Sequence, residues 1–470
     1  MNCQHAQTFN RMISAAEGAL LTPDEIDTLS CAMFGLSTEK DAQTNNLKNL
    51  TNNNNDAAIP AGYTYFFQFI SHDIVPDTRP NSFSRQASPM LNLDSLYGTG
   101  ENGFNPLLFN ADGTFKHHNS QDFDVWREPA PARENDFRAF IPEPRNDENV
   151  IVVQIHRLWQ KLHDVLVGKL QSAGMAEVTQ LIQTAQQYTI AIFHHVLIYD
   201  ALPRLIMPEV YKYFFEDFKP FYFSEDRPFT GIPVEFSHAA FRFGHSMLRP
   251  AYAINWLNSV RLEKLLRNSP MNYLTANEQI NWRFFFDCKG SKTADNALEI
   301  DVFITPDMHQ VFRNTGIARL NLLAGENAHL ASMQTVISEI LSKRHYKQFS
   351  GIFSHELKKD RLTTTSNSYE TDFIYERLAE TIKQSRTPLW LCILHENLTD
   401  SPKNRAKLGL IGSAIISDVL RSSILENYKD ENIQSISDAF TTFKSIRDLA
   451  LEKLGCAAET VTMCSVIYPK

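Results

Sequence analysis

Four short stretches of the chain hold residue types that can do chemistry. The first is Gln68-Phe69-Ile70-Ser71-His72-Asp73, where an imidazole flanked by a carboxylate follows an aromatic run. Such a group can move protons or bind a metal; a core histidine followed by a capping aspartate is the plainer reading. The second is Pro144-Arg145-Asn146-Asp147-Glu148-Asn149. Its acids precede an apolar-periodic run and suit the positive end of a helix, so a helix start with a surface charge cluster would explain it. The third is Ala240-Phe241-Arg242-Phe243-Gly244-His245-Ser246. A Gly beside a His in an apolar stretch permits close approach by something flat or bulky; the alternative is a buried histidine bonded to a backbone carbonyl. The fourth is Ala318-Arg319-Leu320-Asn321-Leu322-Leu323. An amide in a Leu-rich helix must find a partner if it is buried, unless it merely ends the helix.

In order, the four read His, Arg…Glu, Arg-x-x-His, Asn. This order resembles the animal-type haem peroxidases of the peroxidase–cyclooxygenase superfamily, and within them the shorter bacterial members. The likeness runs from about residue 60 to about residue 425. Residues 88–98, Ser-Pro-Met-Leu-Asn-Leu-Asp-Ser-Leu-Tyr-Gly, resemble that family's calcium loop. Residues 198–206 and Thr387-Pro388-Leu389-Trp390 are similar to its scaffold.

The resemblance implies a mainly α fold: a single large helical haem-peroxidase-like domain with long loops and little β. It implies haem b, with His245 as the proximal ligand and Asn321 accepting its Nδ1–H, which leaves Nε2 for iron and raises ligand basicity. On the open face His72 is the distal base, Arg145 the cation that stabilises the departing oxygen, and Gln68 the amide that orders water. Arg242 suits a haem propionate. It also stands where the dioxygenase branch carries a tyrosine, which favours the peroxidase branch. The implied calcium ligands are Asp73, Asn92, Asp94, the Ser88 hydroxyl and the carbonyls of Ser88 and Met90, all hard oxygen donors.

Some positions depart from the family pattern. Ser71 replaces an ester-forming Asp, so that haem link is not expected, whereas Glu148 leaves one ester link open. Asn149 replaces a Met that bonds a haem vinyl group in one branch. Phe67 fills a position usually held by Gly, where a ring narrows the distal pocket. His156, His163, His194, His195 and His238 match no role and read as packing or surface residues.

The activity implied is a haem-dependent peroxidase, active in the response to oxidative stress. It reduces hydrogen peroxide through a ferryl intermediate and oxidises a small organic or halide donor. The alternatives are a fatty-acid dioxygenase of the same superfamily and a non-catalytic haem-binding protein.

The elements that must position these residues are mostly helices. Thr22-Pro23-Asp24-Glu25 is a helix start. Val152, Ile155, His156, Trp159, Leu162, His163 and Leu166 recur at helical spacing. Further helices are expected at 176–200, bent or ended by Pro203, and at 234–248, 317–328, 332–343, 369–384, 404–424 and 436–453. Short strands are expected between 293 and 305. Residues 63–70 are β-prone by propensity, yet the resemblance makes 60–74 a helix. The division expected is 1–58 as an N-terminal helical extension, 59–428 as the catalytic domain and 429–470 as a C-terminal helix and tail.

With 470 residues, 43% hydrophobic and 21% charged, the composition is globular. The net charge of -9 argues against non-specific nucleic-acid binding. No apolar run is long enough to span a bilayer. The six cysteines form no CxxC and no regular framework, which reads as reduced thiols in a cytoplasmic protein, or in one exported without a cleaved signal.

Overall fold

The computed structural model describes residues 9–13, 20–34, 56–77, 88–118, 121–129, 137–219, 221–266, 272–288, 294–305, 307–308, 316–342, 386–396, 406–430, 432–433 and 435–469. The helix expected at 369–384 lies outside them. The fold is mainly α, a single domain whose few strands form three two-stranded ladders among the described residues.

The first helix, α1 (Pro23–Met33), starts where the sequence places it. Thr22 and Glu25 form a reciprocal capping box with Pro at the first turn. Next come strand β1 (Asp56–Pro60) and helix α2 (Gly62–Ile74). The β-prone run is thus helical, as the family resemblance implies and propensity does not. Packing supplies the reason. Tyr65 meets Tyr252, Phe66 meets Trp159 and Phe193, and Phe67 meets Phe241 and Phe243, so rings leave α2 in three directions. A strand sends side chains to two faces only. Gly62 lets the helix start close against its neighbour, since a Cβ there would lie 2.5 Å from the Phe285 carbonyl oxygen.

Among the described residues of 75–140 the regular elements are the short helix α3 (Asp94–Tyr97), the 3₁₀ turn Pro106–Leu108 and the antiparallel pair β2 (Arg127–Pro129) and β3 (Phe137–Ala139). Two long helices follow, α4 (Val150–Ser172) and α5 (Val178–Val196), and they pack together as a hairpin. Pro203 is accommodated because a π-turn, Leu197–Ala201, intervenes and the chain restarts as Leu202–Leu205 with the proline in its first turn.

The helix expected at 234–248 is broken into Val234–Ser237 and a 3₁₀ segment Ala240–His245. Between them Ala239 leaves helical geometry, with φ -136° and ψ -76°. The strand expected after residue 293 is β6 (Asn296–Leu298), antiparallel to β1, and β4 (Ala251–Ala253) pairs with β5 (Ser259–Arg261). Helices α6 (Ile317–Asn327), α7 (Leu389–His395), α8 (Leu410–Glu426) and α9 (Ile436–Leu454) complete the bundle. α9 packs on α4, α5 and α8, and a last short helix, α10 (Met463–Ile467), reaches α4.

The cysteine reading needs correction. Cys288 and Cys464 form a disulfide across 176 residues of sequence, with Cα atoms 5.4 Å apart. Cys31 and Cys392 are buried thiols and Cys456 is a half-buried one. The pairing is set by the docking of α10 rather than by any local spacing, so the sequence carried no sign of it.

Candidate haem site

Of the thirteen residues of α2, only Gln68, Ser71 and His72 escape full burial. Positions i, i+3 and i+4 share one face of a helix. The amide and the imidazole singled out in the sequence therefore line one stripe, and Ser71 shares it.

His72 is oriented by a residue to which no role was assigned. Its Nδ1 lies 2.9 Å from Asn146 Oδ1. Amide oxygens only accept, so Nδ1 carries a proton, and in the neutral ring the lone pair is on Nε2. That is the tautomer a base needs. The signal was in the sequence, because Asn146 adjoins Arg145, but the residues around it read equally well as a helix start.

Arg145 is brought to the same place, in the 3₁₀ turn Pro144–Asp147. Its guanidinium is heavily engaged. Nε and one terminal nitrogen donate to Glu143, and that terminal nitrogen also donates to the carbonyls of His72 and Val75 at 2.9 and 2.8 Å. Burial raises the Glu143 carboxyl, but the hydrogen bond and charge of Arg145 outweigh it and leave it below its usual range. Arg145 thus closes the end of α2 with all but Nη1. Glu148 lies exposed just beyond this turn, and Asn149 caps α4 through Oδ1.

On the other side of α2 stands the segment Ala240–His245. Phe67 joins the two, its ring centroid 6.3 Å from Phe241 and 5.6 Å from Phe243. Gly244 faces Thr64 at close range. In this segment Arg242, Gly244 and His245 retain partial exposure while Ala240, Phe241 and Phe243 are buried. Burial, and then the charge of Arg242, push the His245 imidazole down to about 3, so it is neutral and suited to a metal.

Asn321, on α6, lies beside His245 as the sequence implies, but the contact runs the other way. Arg242 donates to Asn321 Oδ1 at 2.9 Å, and Asn321 Nδ2 lies 2.8 Å from His245 Nδ1. A guanidinium can only donate, so it holds the amide oxygen. In this arrangement the amide donates to Nδ1 rather than accepting from it. Arg242 also donates to the Ser237 carbonyl, and Trp390 on α7 donates to the carbonyl of Arg242.

These side chains fit an iron porphyrin. They supply a neutral imidazole on one segment, an oriented second imidazole on the neighbouring helix, and a nearly buried guanidinium. The fit requires the Asn321 amide oxygen to be shared with, or released by, Arg242. A surface groove of about 560 Å³ beside Trp256, Trp282 and Lys161 contains none of these residues.

The implied calcium ligands carry backbone hydrogen bonds of their own. Asp73 is brought to the 88–98 loop, but Oδ1 accepts the Ser95 N–H at 2.8 Å and Oδ2 the Leu93 N–H at 3.0 Å. Ser88 Oγ accepts the Met90 N–H and Asn92 Oδ1 the Asp94 N–H. The Met90 carbonyl accepts the Asn92 N–H at 3.0 Å, so several of the assigned oxygens also help to close the loop. Among the described residues no group of three or more His, Cys, Asp or Glu stands ready to hold a metal.

The chain belongs to the animal haem peroxidase family, whose model matches residues 15–325. No curated protein is detectably similar in sequence. Among solved structures, peroxidase A from Dictyostelium discoideum superposes with a TM-score of 0.64 at 13% identity, covering 98% of this chain and 92% of that one. A fatty acid α-dioxygenase from Arabidopsis thaliana gives 0.55 at 14% identity over 88% and 72% of the two chains. One from Oryza sativa gives 0.57 at 12% over 94% and 81%. These likenesses establish the fold.

Proposed function

We propose that the chain is a haem-dependent enzyme that reduces hydrogen peroxide while oxidising a small organic or halide donor. The observation that carries this reading is the His72–Asn146 hydrogen bond, which orients the imidazole through Nδ1 on the partly exposed stripe of α2. Haem b, when bound, supplies the redox centre. His245 would hold its iron, Arg242 would answer a propionate, and Glu148 leaves one ester link open. His72 would take a proton from one peroxide oxygen and return it to the other, which leaves as water when the O–O bond breaks; the bound haem, and through it the donor, would supply the two electrons that bring both oxygens to water. Gln68, one turn earlier on the same stripe, would order water there. Arg145 fixes the end of α2 and offers Nη1 to the developing charge.

The test is an optical spectrum of the haem-loaded chain before and after one equivalent of hydrogen peroxide. A rapid change that a donor reverses is the expected result. A haem-saturated sample that does not respond would end this reading.

A second reading is a fatty-acid dioxygenase, supported by the fold it shares with the two plant enzymes. Against it, Arg242 occupies the position that branch gives to tyrosine, and Arg242 is tied to Asn321 and Ser237. Oxygen uptake with palmitic acid decides between the two. A non-catalytic haem-binding role is favoured by Phe67, whose ring fills space between α2 and the His245 segment.

A further inference from the structure

The hydrogen bond that orients His72 does not stop at Asn146. Asn146 Nδ2 lies 3.1 Å from His156 Nδ1, and the Gln160 amide nitrogen Nε2 lies 3.3 Å from His156 Nε2. Asn146 and His156 are fully buried, and Gln160 is 2% exposed. His156 and Gln160 sit four apart on α4, on one face, and the ring of Phe69 on α2 meets His156 edge-on at 6.1 Å. The four residues form an unbroken line from the core of α4, through the 3₁₀ turn, to α2.

The chemistry of each group fixes the direction of this line. Burial, and then the charge of Arg157, hold the His156 imidazole near 3, so it is neutral and has one N–H. With Asn146 Oδ1 taken by His72, its Nδ2 must donate, and His156 Nδ1 must accept. The proton of His156 is then on Nε2, facing Gln160. A neutral imidazole cannot accept at both nitrogens, so one of the two amides that donate to it must turn; turning Gln160 brings its buried Oε1, which otherwise has no hydrogen-bond partner, to the His156 proton and leaves Asn146 as it stands. A buried acceptor left unmet costs about 1–3 kcal/mol, which favours this turn of the amide. Reversing any one link would reverse the rest and place the proton of His72 on Nε2.

We propose that Asn146, His156 and Gln160 are positioning residues: a buried relay that fixes His72 in the tautomer with the proton on Nδ1. The proposal rests on the reading of His72 as the base. It gives His156 a role beyond packing, and it makes the base depend on a side chain three residues removed from the reaction.

The experiment labels histidine with ¹⁵N in the full chain and reads by NMR which His72 nitrogen carries the proton; His72→Ala identifies the signals. The wild type shows the proton on Nδ1. Asn146→Ala loses that preference, and so does His156→Phe, which removes the acceptor that orients the Asn146 amide. Gln160→Leu shifts it in the same direction and serves if His156→Phe fails to fold. Asn146→Asp keeps an acceptor and restores the Nδ1 form. In the haem-loaded chain, Asn146→Ala and His156→Phe slow the spectral response to peroxide about 10–100-fold, the loss typical of an orienting partner, and Asn146→Asp recovers most of it. A wild type with the proton on Nε2, or an Asn146→Ala chain that keeps the Nδ1 form, overturns the proposal. If the wild-type holoprotein is inert to peroxide the functional reading falls, and the relay stands or falls on the NMR result alone.

Discussion

Replacing His245 or His72 by alanine separates the two imidazoles by what each loses. His245→Ala should purify with little or no haem, read as the ratio of haem to protein. His72→Ala should keep its haem and react with peroxide ~10²–10⁴ times more slowly, the usual worth of a positioned base, read by stopped-flow absorbance. The reverse pattern would exchange their roles. At this scale the sequence was informative where residue type alone decides: an imidazole, a guanidinium and an amide in a known order. It was silent where orientation decides. Nothing in Arg-x-x-His and a distant Asn says that Arg242 captures the Asn321 oxygen. Asp73 was legible as a ligand by type, yet its two oxygens face backbone N–H groups.

Helix α2 is where local preference and tertiary context disagree. Its aromatic run favours a strand, and the surrounding rings make it a helix with one accessible stripe. α1 and α4 were readable because capping chemistry and a 3.6-residue period are local. The break at Ala239 was not, because apolar periodicity continues across it. Gly62 is the point at which α2 is most tightly held. Gly62→Ala puts a Cβ 2.6 Å from the ring of Phe286 as well as against the Phe285 carbonyl. Overpacking of this kind costs about 1–3 kcal/mol, so a lower thermal midpoint is expected; an unchanged midpoint would show that the 285–286 segment yields freely.

Across the whole molecule, buried histidines set the response to acid. His156, His163 and His194 are fully buried, and burial, the largest cause at each, lowers them from 6.5 to about 3, 4 and 4. Their folded values lie below the unfolded one, so the unfolded chain binds more protons between them. The stability they support is complete above pH 6.5 and is lost as pH falls toward 4. Chemical denaturation at pH 7, 5.5 and 4.5 should give a falling series, and a flat series would refute the assignment. The disulfide acts at the same scale. Cys288→Ser, or reduction, should lower stability by about 2–4 kcal/mol through the freedom returned to the unfolded chain.

That bond also makes the chain topologically a loop with two tails. Asn321, Trp390 and helices α6 to α9 lie on the loop, while both imidazoles lie on the amino-terminal tail. A protease that nicks the backbone once between 288 and 464 therefore yields no separate fragments. The cleaved molecule migrates as one species on a non-reducing gel and splits in two only when a thiol is added.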